Sequence, residues 1–130
     1  LKGLGGMKIS LPAEIGGLLE QRTVVYLRGL GWSIVSQNWR KPWGELDIVA
    51  IESTTLVVVE VKARRLESGK DRVDDLELLP FRKRMRIYRT LRSYLANEDL
   101  RAWAPQELRL DLVVWRGDGF PEFRHYRGVL

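Results

Sequence analysis

A chain of 130 residues with 45% apolar content can build one hydrophobic core, and no repeat or low-complexity linker divides it. The absence of cysteine excludes disulfides and thiolate metal sites, and a single histidine excludes a multi-His metal centre. A formal net charge of +5 and a pI near 9.8 suit a polyanionic partner such as nucleic acid, and apolar runs such as Leu56–Val59 are far too short to span a membrane.

Leu1 to Gly6, rich in glycine, reads with the residues up to 9 as an N-terminal extension, and residues 10–130 as the single domain. With no apolar signal core in this sequence and no cysteine, a cytoplasmic location is expected. Ser10 as N-cap, Pro12 in the first turn and Gly31 as terminator predict a helix over 11–30. At 100° per residue Ile15, Leu18, Leu19, Tyr26 and Leu30 share one face, and Glu20 falls with Leu27 at its edge, beside the sheet.

Residues 32–39 read as a first strand and Lys41-Pro42-Trp43 as a turn. Trp39 and Trp43 flank it; stacking on unpaired bases and ordinary packing are both open to them, packing being the commoner role. Strands over 45–51 and 56–62 then form a hairpin around the turn at 52–55. Counting inward from Ile51 opposite Leu56 sets Asp47 across from Glu60 and Glu45 across from Lys62. Period-two alternation puts Glu60 and Lys62 on one face. Directly opposed carboxylates repel unless one is protonated or a cation lies between them. A hard divalent ion such as Mg²⁺ or Mn²⁺ fits that position, and a solvated charged face with a Glu45–Lys62 ion pair is the alternative.

The segment around Lys70 and Arg72 reads as a loop. From Leu79 to Asn97 the spacing of Phe81, Met85, Tyr88, Leu91 and Leu95 is helical, and Arg82, Lys83, Arg84, Arg86, Arg89 and Arg92 cover the other faces. So basic a helix suits phosphate, or pairs with the acids of 74–77. Leu108–Trp115 and Phe120–Tyr126 make a final hairpin carrying His125, which stands among aromatics and reads as structural. No phosphate-binding Gly-x-x-x-x-Gly-Lys-Ser/Thr, dinucleotide Gly-x-Gly-x-x-Gly or Gly-x-Ser-x-Gly elbow is present.

Gly44-Glu45-Leu46-Asp47 followed by Glu60-Val61-Lys62 resembles the PD-(D/E)xK signature of the restriction endonuclease-like superfamily. Together with Glu20, Tyr26-Leu27, Gly31-Trp32, Asn38-Trp39-Arg40, Arg64, Lys83 and Arg109 to Val113, the pattern is similar to that of the small YraN-like endonucleases. Two departures stand out, Leu19 in place of the usual Gly and a dissimilar stretch over 65–80. The resemblance implies an α/β fold with a restriction endonuclease-like core, a mixed β-sheet flanked by helices in the order α-β-β-β-α-β and a trailing strand. It implies Mg²⁺- or Mn²⁺-dependent cleavage of phosphodiester bonds in DNA, structure-specific cleavage being in keeping with repair or recombination. Asp47, Glu60, the Val61 carbonyl and Glu20 become the metal ligands, and Lys62 orients or deprotonates the attacking water or stabilises developing charge. Arg40, Arg64, Arg65, Lys83, Arg82, Arg86 and Arg89 become contacts to the nucleic acid. The resemblance also implies a homodimer or a partner domain, because two strands require two cuts. The rival reading is a non-catalytic nucleic-acid-binding or scaffold protein that retains the fold.

Overall fold

The computed structural model describes residues 13–64, 72–98 and 104–130. Ser10, Pro12, Arg65 and Lys70, invoked above, lie outside them. Helix α1 (Ala13–Gly29) precedes strands β1 (Ser33–Lys41), β2 (Gly44–Glu52) and β3 (Thr55–Arg64); a short helix α2 (Arg72–Leu76) and the long α3 (Phe81–Asn97) lead to β4 (Glu107–Arg116) and β5 (Glu122–Tyr126). The five strands form one sheet in the order β1-β2-β3-β4-β5. All neighbours are antiparallel except β3 and β4, which run parallel because α3 carries the chain back across the sheet. This is the mixed α/β architecture of a restriction endonuclease-like core. Beyond the expected order it has α2, where the sequence reads as a loop, while β5 is the expected trailing strand, paired antiparallel with β4 at the sheet edge. No helix among the described residues is long and apolar enough to cross a membrane.

Both sheet faces are covered. Leu19, Val24 and Leu27 of α1 pack with Ile48, Val57, Val59 and Val113 on one face; Ile87, Leu91 and Tyr94 of α3 pack with Leu46, Leu56, Val58, Leu110 and Leu112 on the other. β3 is central and flanked on both faces, which is why Leu56 to Val59 is uniformly apolar and fully buried. The helical faces differ from those read by periodicity. Leu18 and Leu30 of the first helix are 52% and 43% exposed, and Phe81 at the start of α3 is 61% exposed. The buried stripes instead include Thr23 and Thr90, polar residues that an apolar count passes over. Their hydroxyls are satisfied locally, donating to Leu19 O at 2.7 Å and to Arg86 O at 2.9 Å.

Two buried ionic clusters tie the elements together. Asp75 on α2, fully buried, meets Arg64 at 3.1 Å and Arg116 at 2.7 Å and accepts the Tyr126 hydroxyl, so the short helix closes one end of the sheet. Asp111 on β4 accepts from Arg109 at 2.8 Å and from the Gly128 N–H at 3.0 Å, and its other oxygen meets His125 Nε2 at 2.8 Å. His125 Nδ1 in turn meets the Tyr26 hydroxyl at 2.8 Å, so the histidine is a strut between α1, β4 and β5. Burial works to raise the Asp111 carboxyl, but the His125 and Arg109 hydrogen bonds outweigh it and hold it low.

Candidate active-site cleft

The β2–β3 register is the one counted from the turn, with Ile51 opposite Leu56 and Ile48 opposite Val59. There the ladder stops. Beyond it the strands separate and carboxylates fill the gap: Glu60 Oε2 accepts the Asp47 N–H at 3.2 Å, and Asp47 Oδ2 accepts the Val61 N–H at 3.0 Å. Asp47 and Glu60 therefore meet through side chain and backbone rather than as ladder partners, and the expected cross-strand pairing of Glu45 with Lys62 lies past the end of the ladder.

The separation follows from a change of face. Leu46 packs on the α3 side and Ile48 on the α1 side, although strict alternation would place them together. β1 makes the same change: Gln37 bonds to Gln21 of α1, while Trp39 donates to Glu98 at the end of α3. Gln37 pairs with Ile48 and Trp39 with Leu46, so both strands switch between these pairs, at Asn38 and Asp47. Asn38 has φ 52°, a left-handed conformation that asparagine tolerates better than most residues. Its side chain also hydrogen-bonds Glu20, joining the distorted strand to α1.

The result is a cleft of about 630 Å³ at the end of the sheet, between α1 and α3. Glu20, Asp47, Glu60 and Lys62 stand on one part of its wall, Lys83, Arg86 and Thr90 of α3 on another, and the β1–β2 hairpin from Lys41 to Glu45 forms a rim. Gly44 is required there: a Cβ would stand 2.2 Å from Thr90 Oγ1, so only glycine lets the hairpin lie against α3. Burial and then the Asp47 charge push the Glu60 carboxyl well above its ordinary range. Asp47 is raised too, chiefly by burial, although the Val61 N–H and the Lys62 charge pull it down. Glu20 is raised by burial and by Asp47, against the Asn38 hydrogen bond and the Arg40 charge.

All three carboxylates are pushed toward their neutral form, and as oxygen donors they are of the kind that suits Mg²⁺ or Mn²⁺. Each of Asp47 and Glu60 spends one oxygen on a backbone N–H, which orients the carboxylate, and has a second oxygen to offer. No three acidic or histidine side chains among the described residues form a ready-made cage, so a cation there would draw on water or substrate oxygens as well.

Of the basic residues expected to meet nucleic acid, Lys83 and Arg86 line the cleft. Arg82 and Arg89 are exposed on α3 outside it, and Arg40 is exposed on β1, near enough to Glu20 to act on its charge. The Arg64 side chain is 8% exposed and turned onto Asp75, so it helps to hold α2. Trp39 packs edge-on to Tyr94, whereas Trp43 is 54% exposed on the rim. Sequence reasoning passed over Asn38 as the residue that holds Glu20, and over Asp75. An Asn inside a strand pattern is the signal for the first; nothing local marks the second.

Residues 19–114 match the profile of the family described as uncharacterised protein family UPF0102. A UPF0102 protein of Herpetosiphon aurantiacus is 33% identical over 113 residues, covering 85% of this chain and 88% of that protein. One from Mycobacterium marinum is 36% identical over 127 residues, 95% and 99% of the two chains, and one from Paenarthrobacter aurescens is 39% identical over 106 residues, 80% and 83%. The chain belongs to this family, the YraN-like group identified above from its motifs.

Proposed function

We propose that this protein is a metal-dependent nuclease that hydrolyses phosphodiester bonds in DNA. The observation that carries the reading is the reciprocal pair of carboxylates, Asp47 and Glu60, at the point where β2 and β3 part, with Lys62 two residues further along β3 in the same cleft. A structural ion-pair network would put each acid in a salt bridge, as Asp75 and Asp111 are, whereas Lys62 acts on Asp47 and Glu60 through its charge without a salt bridge to either. Here the acids face one another instead, and α3 supplies the opposite wall with Lys83 and Arg86.

Asp47, Glu60 and Glu20, with the Val61 carbonyl, would hold Mg²⁺ or Mn²⁺. When bound, such an ion neutralises phosphate charge, lowers the pKa of water and favours the departing oxygen. The chain's own groups do the rest. The N–H of Val61 and the N–H of Asp47 fix the two carboxylates, so little reorganisation is needed when substrate arrives. Lys83 and Arg86 attract and orient the phosphate backbone from the opposite wall. Lys62 orients the attacking water or takes its proton, and its charge favours the extra negative charge on phosphorus-bound oxygens. Water adds to phosphorus, the bond to one ester oxygen breaks, and that oxygen leaves with a proton from solvent.

The test is cleavage of single-stranded, duplex, flap and four-way-junction DNA with Mg²⁺, with Mn²⁺ and with EDTA. Metal-dependent strand breaks that disappear in Asp47→Asn support the reading. Binding without cutting on every substrate, with either metal, favours a non-catalytic nucleic-acid-binding protein on the same fold.

A further inference from the structure

The β1–β2 hairpin that forms the cleft rim has an unusual tip. Lys41 pairs with Gly44, so Pro42 and Trp43 alone make the loop, and a tight loop has no packing need for the largest side chain. Trp32 and Trp115 are 5% and 6% exposed and packed among apolar neighbours, and Trp39 is packed against Tyr94. Trp43 is 54% exposed. Yet its ring is held. The indole N–H donates to Ser93 Oγ at 3.2 Å, and Ser93 Oγ is itself held by Asn97 Nδ2 at 3.2 Å. Gly44 fixes the hairpin from the other side by lying against Thr90 of α3. A large aromatic ring is thus wet on its surface and anchored at its nitrogen. Such a ring loses little freedom when something flat lies on it.

The surroundings specify what that flat group is. Trp43 lines the same cleft as Asp47, Glu60 and Lys62, with Lys41 beside it and Lys83 and Arg86 across from it. An aromatic face next to cations that suit phosphate is the combination that binds single-stranded nucleic acid, with bases stacked on the ring and the backbone along the charges. A paired base inside a duplex has both faces covered by its neighbours and cannot use the ring; an unpaired base can. Four residue steps separate Trp43 from Asp47, roughly 13 Å at strand rise, so a base on Trp43 lies within a few nucleotides of a phosphate at the carboxylates.

We propose that Trp43 is a stacking platform for an unpaired base, so that the cleft takes a single-stranded or splayed segment within a few nucleotides of the bond it acts on. The proposal rests on the nuclease reading for the position of that bond, and its test is a binding measurement that needs no cleavage. Wild type, Trp43→Phe and Trp43→Ala are compared in EDTA and low salt on a flapped DNA carrying 2-aminopurine in the unpaired arm and on a blunt duplex of the same length. Stacking on one base predicts about a tenfold loss of flap affinity in Trp43→Ala, near-wild-type affinity in Trp43→Phe and blunt-duplex affinity unchanged. The 2-aminopurine emission should be quenched by wild type and much less by Trp43→Ala. Equal loss on both DNAs, no loss on either, or quenching that persists in Trp43→Ala overturns the platform, and cleavage by wild type in a parallel assay would then leave the nuclease reading standing. A wild type that neither binds nor cuts overturns both.

Discussion

Glu60 accepts the backbone N–H of Asp47 at 3.2 Å, so the residue whose carboxyl the Asp47 charge pushes up also fixes the strand that carries Asp47. Each acid is positioned by the other's strand, and the Asp47 charge disfavours an ionised Glu60 while a Glu60 hydrogen bond favours an ionised Asp47. This arrangement is stable with a shared proton or with a cation, and costs free energy with neither.

The first prediction concerns that charge. Asp47→Asn and Glu60→Gln should abolish Mg²⁺ or Mn²⁺ binding at the cleft, since each removes a ligand. Without metal, either should raise the melting temperature, because a buried repulsion is removed while the backbone hydrogen bond can be kept by the amide oxygen. A gain of about 1 kcal/mol corresponds to roughly 3 °C for a domain of this size. Calorimetric titration with Mn²⁺ and thermal unfolding in EDTA check both parts; wild-type Mn²⁺ affinity in both variants would remove the metal assignment.

The pH dependence has a definite sign. A carboxyl whose pKa is raised by folding binds more protons in the folded state than in the unfolded one, so stability falls as pH rises above the ordinary carboxylate range. Asp111 and Glu52 are held low and act oppositely, losing their contribution as pH falls. The informative quantity is therefore the difference between wild type and Glu60→Gln. In EDTA that difference should grow in favour of the variant from pH 5 to pH 8, and saturating Mg²⁺ should reverse it. A difference that is flat across that range in EDTA would mean that Glu60 carries no raised pKa.

Gly44 allows a packing test. Gly44→Ala places a methyl 2.2 Å from Thr90 Oγ1 and should destabilise the protein by about 1–3 kcal/mol as the hairpin and α3 move apart. Removing the hydroxyl and methyl of the opposing residue should restore part of the loss, so Gly44→Ala/Thr90→Ala should be more stable than the sum of the single changes. Denaturant unfolding of the four proteins measures this coupling, and strict additivity would show that hairpin and helix do not meet at this point.

Much of this site was legible in the sequence, and the reasons are local. Glu60 and Lys62 follow from period two, because the β3 side chains alternate as expected, and the turn at 52–55 fixes a register that brings Asp47 to Glu60 although the ladder itself stops at Ile48 and Val59. The face switch at Asn38 and Asp47 was not legible, since alternation assumes an undistorted strand, and it shows only in the contacts, with Gln37 and Ile48 on the α1 side and their neighbours Trp39 and Leu46 on the α3 side. The helical faces were misread by about one position because Thr23 and Thr90 occupy buried places that polarity assigns to solvent. Arg64 shows a third limit: its sequence neighbours say nothing of Asp75, which reaches it through α2.

The position of the basic residues predicts which of them act on DNA. Lys83 and Arg86 line the cleft, whereas Arg82 and Arg89 do not. Neutralising Lys83 and Arg86 together should reduce the slope of log affinity against log salt by about 1.8 on duplex DNA, at about 0.9 per phosphate contact. The pair Arg82→Gln/Arg89→Gln should change it less. An equal reduction from both pairs would extend the binding face along the whole of α3.

Lys62 separates a nuclease from a metal site that merely binds DNA. It shares the β3 face of Glu60, and its charge lowers the cost of ionising both Asp47 and Glu60. Lys62→Ala should therefore weaken metal binding little, because losing a cation beside two carboxylates removes a competitor for them as well as a source of their ionisation. If Lys62 positions or deprotonates the water, or meets charge that develops only in the transition state, the single-turnover rate at saturating DNA should fall by on the order of 10² or more while DNA affinity stays within a few-fold. The reverse pattern, a normal rate with weak DNA binding, would make Lys62 one more phosphate contact. A rate loss of the same size in Lys62→Arg would point to proton transfer or tight positioning, because arginine keeps the charge but not the ability to act as a base at neutral pH.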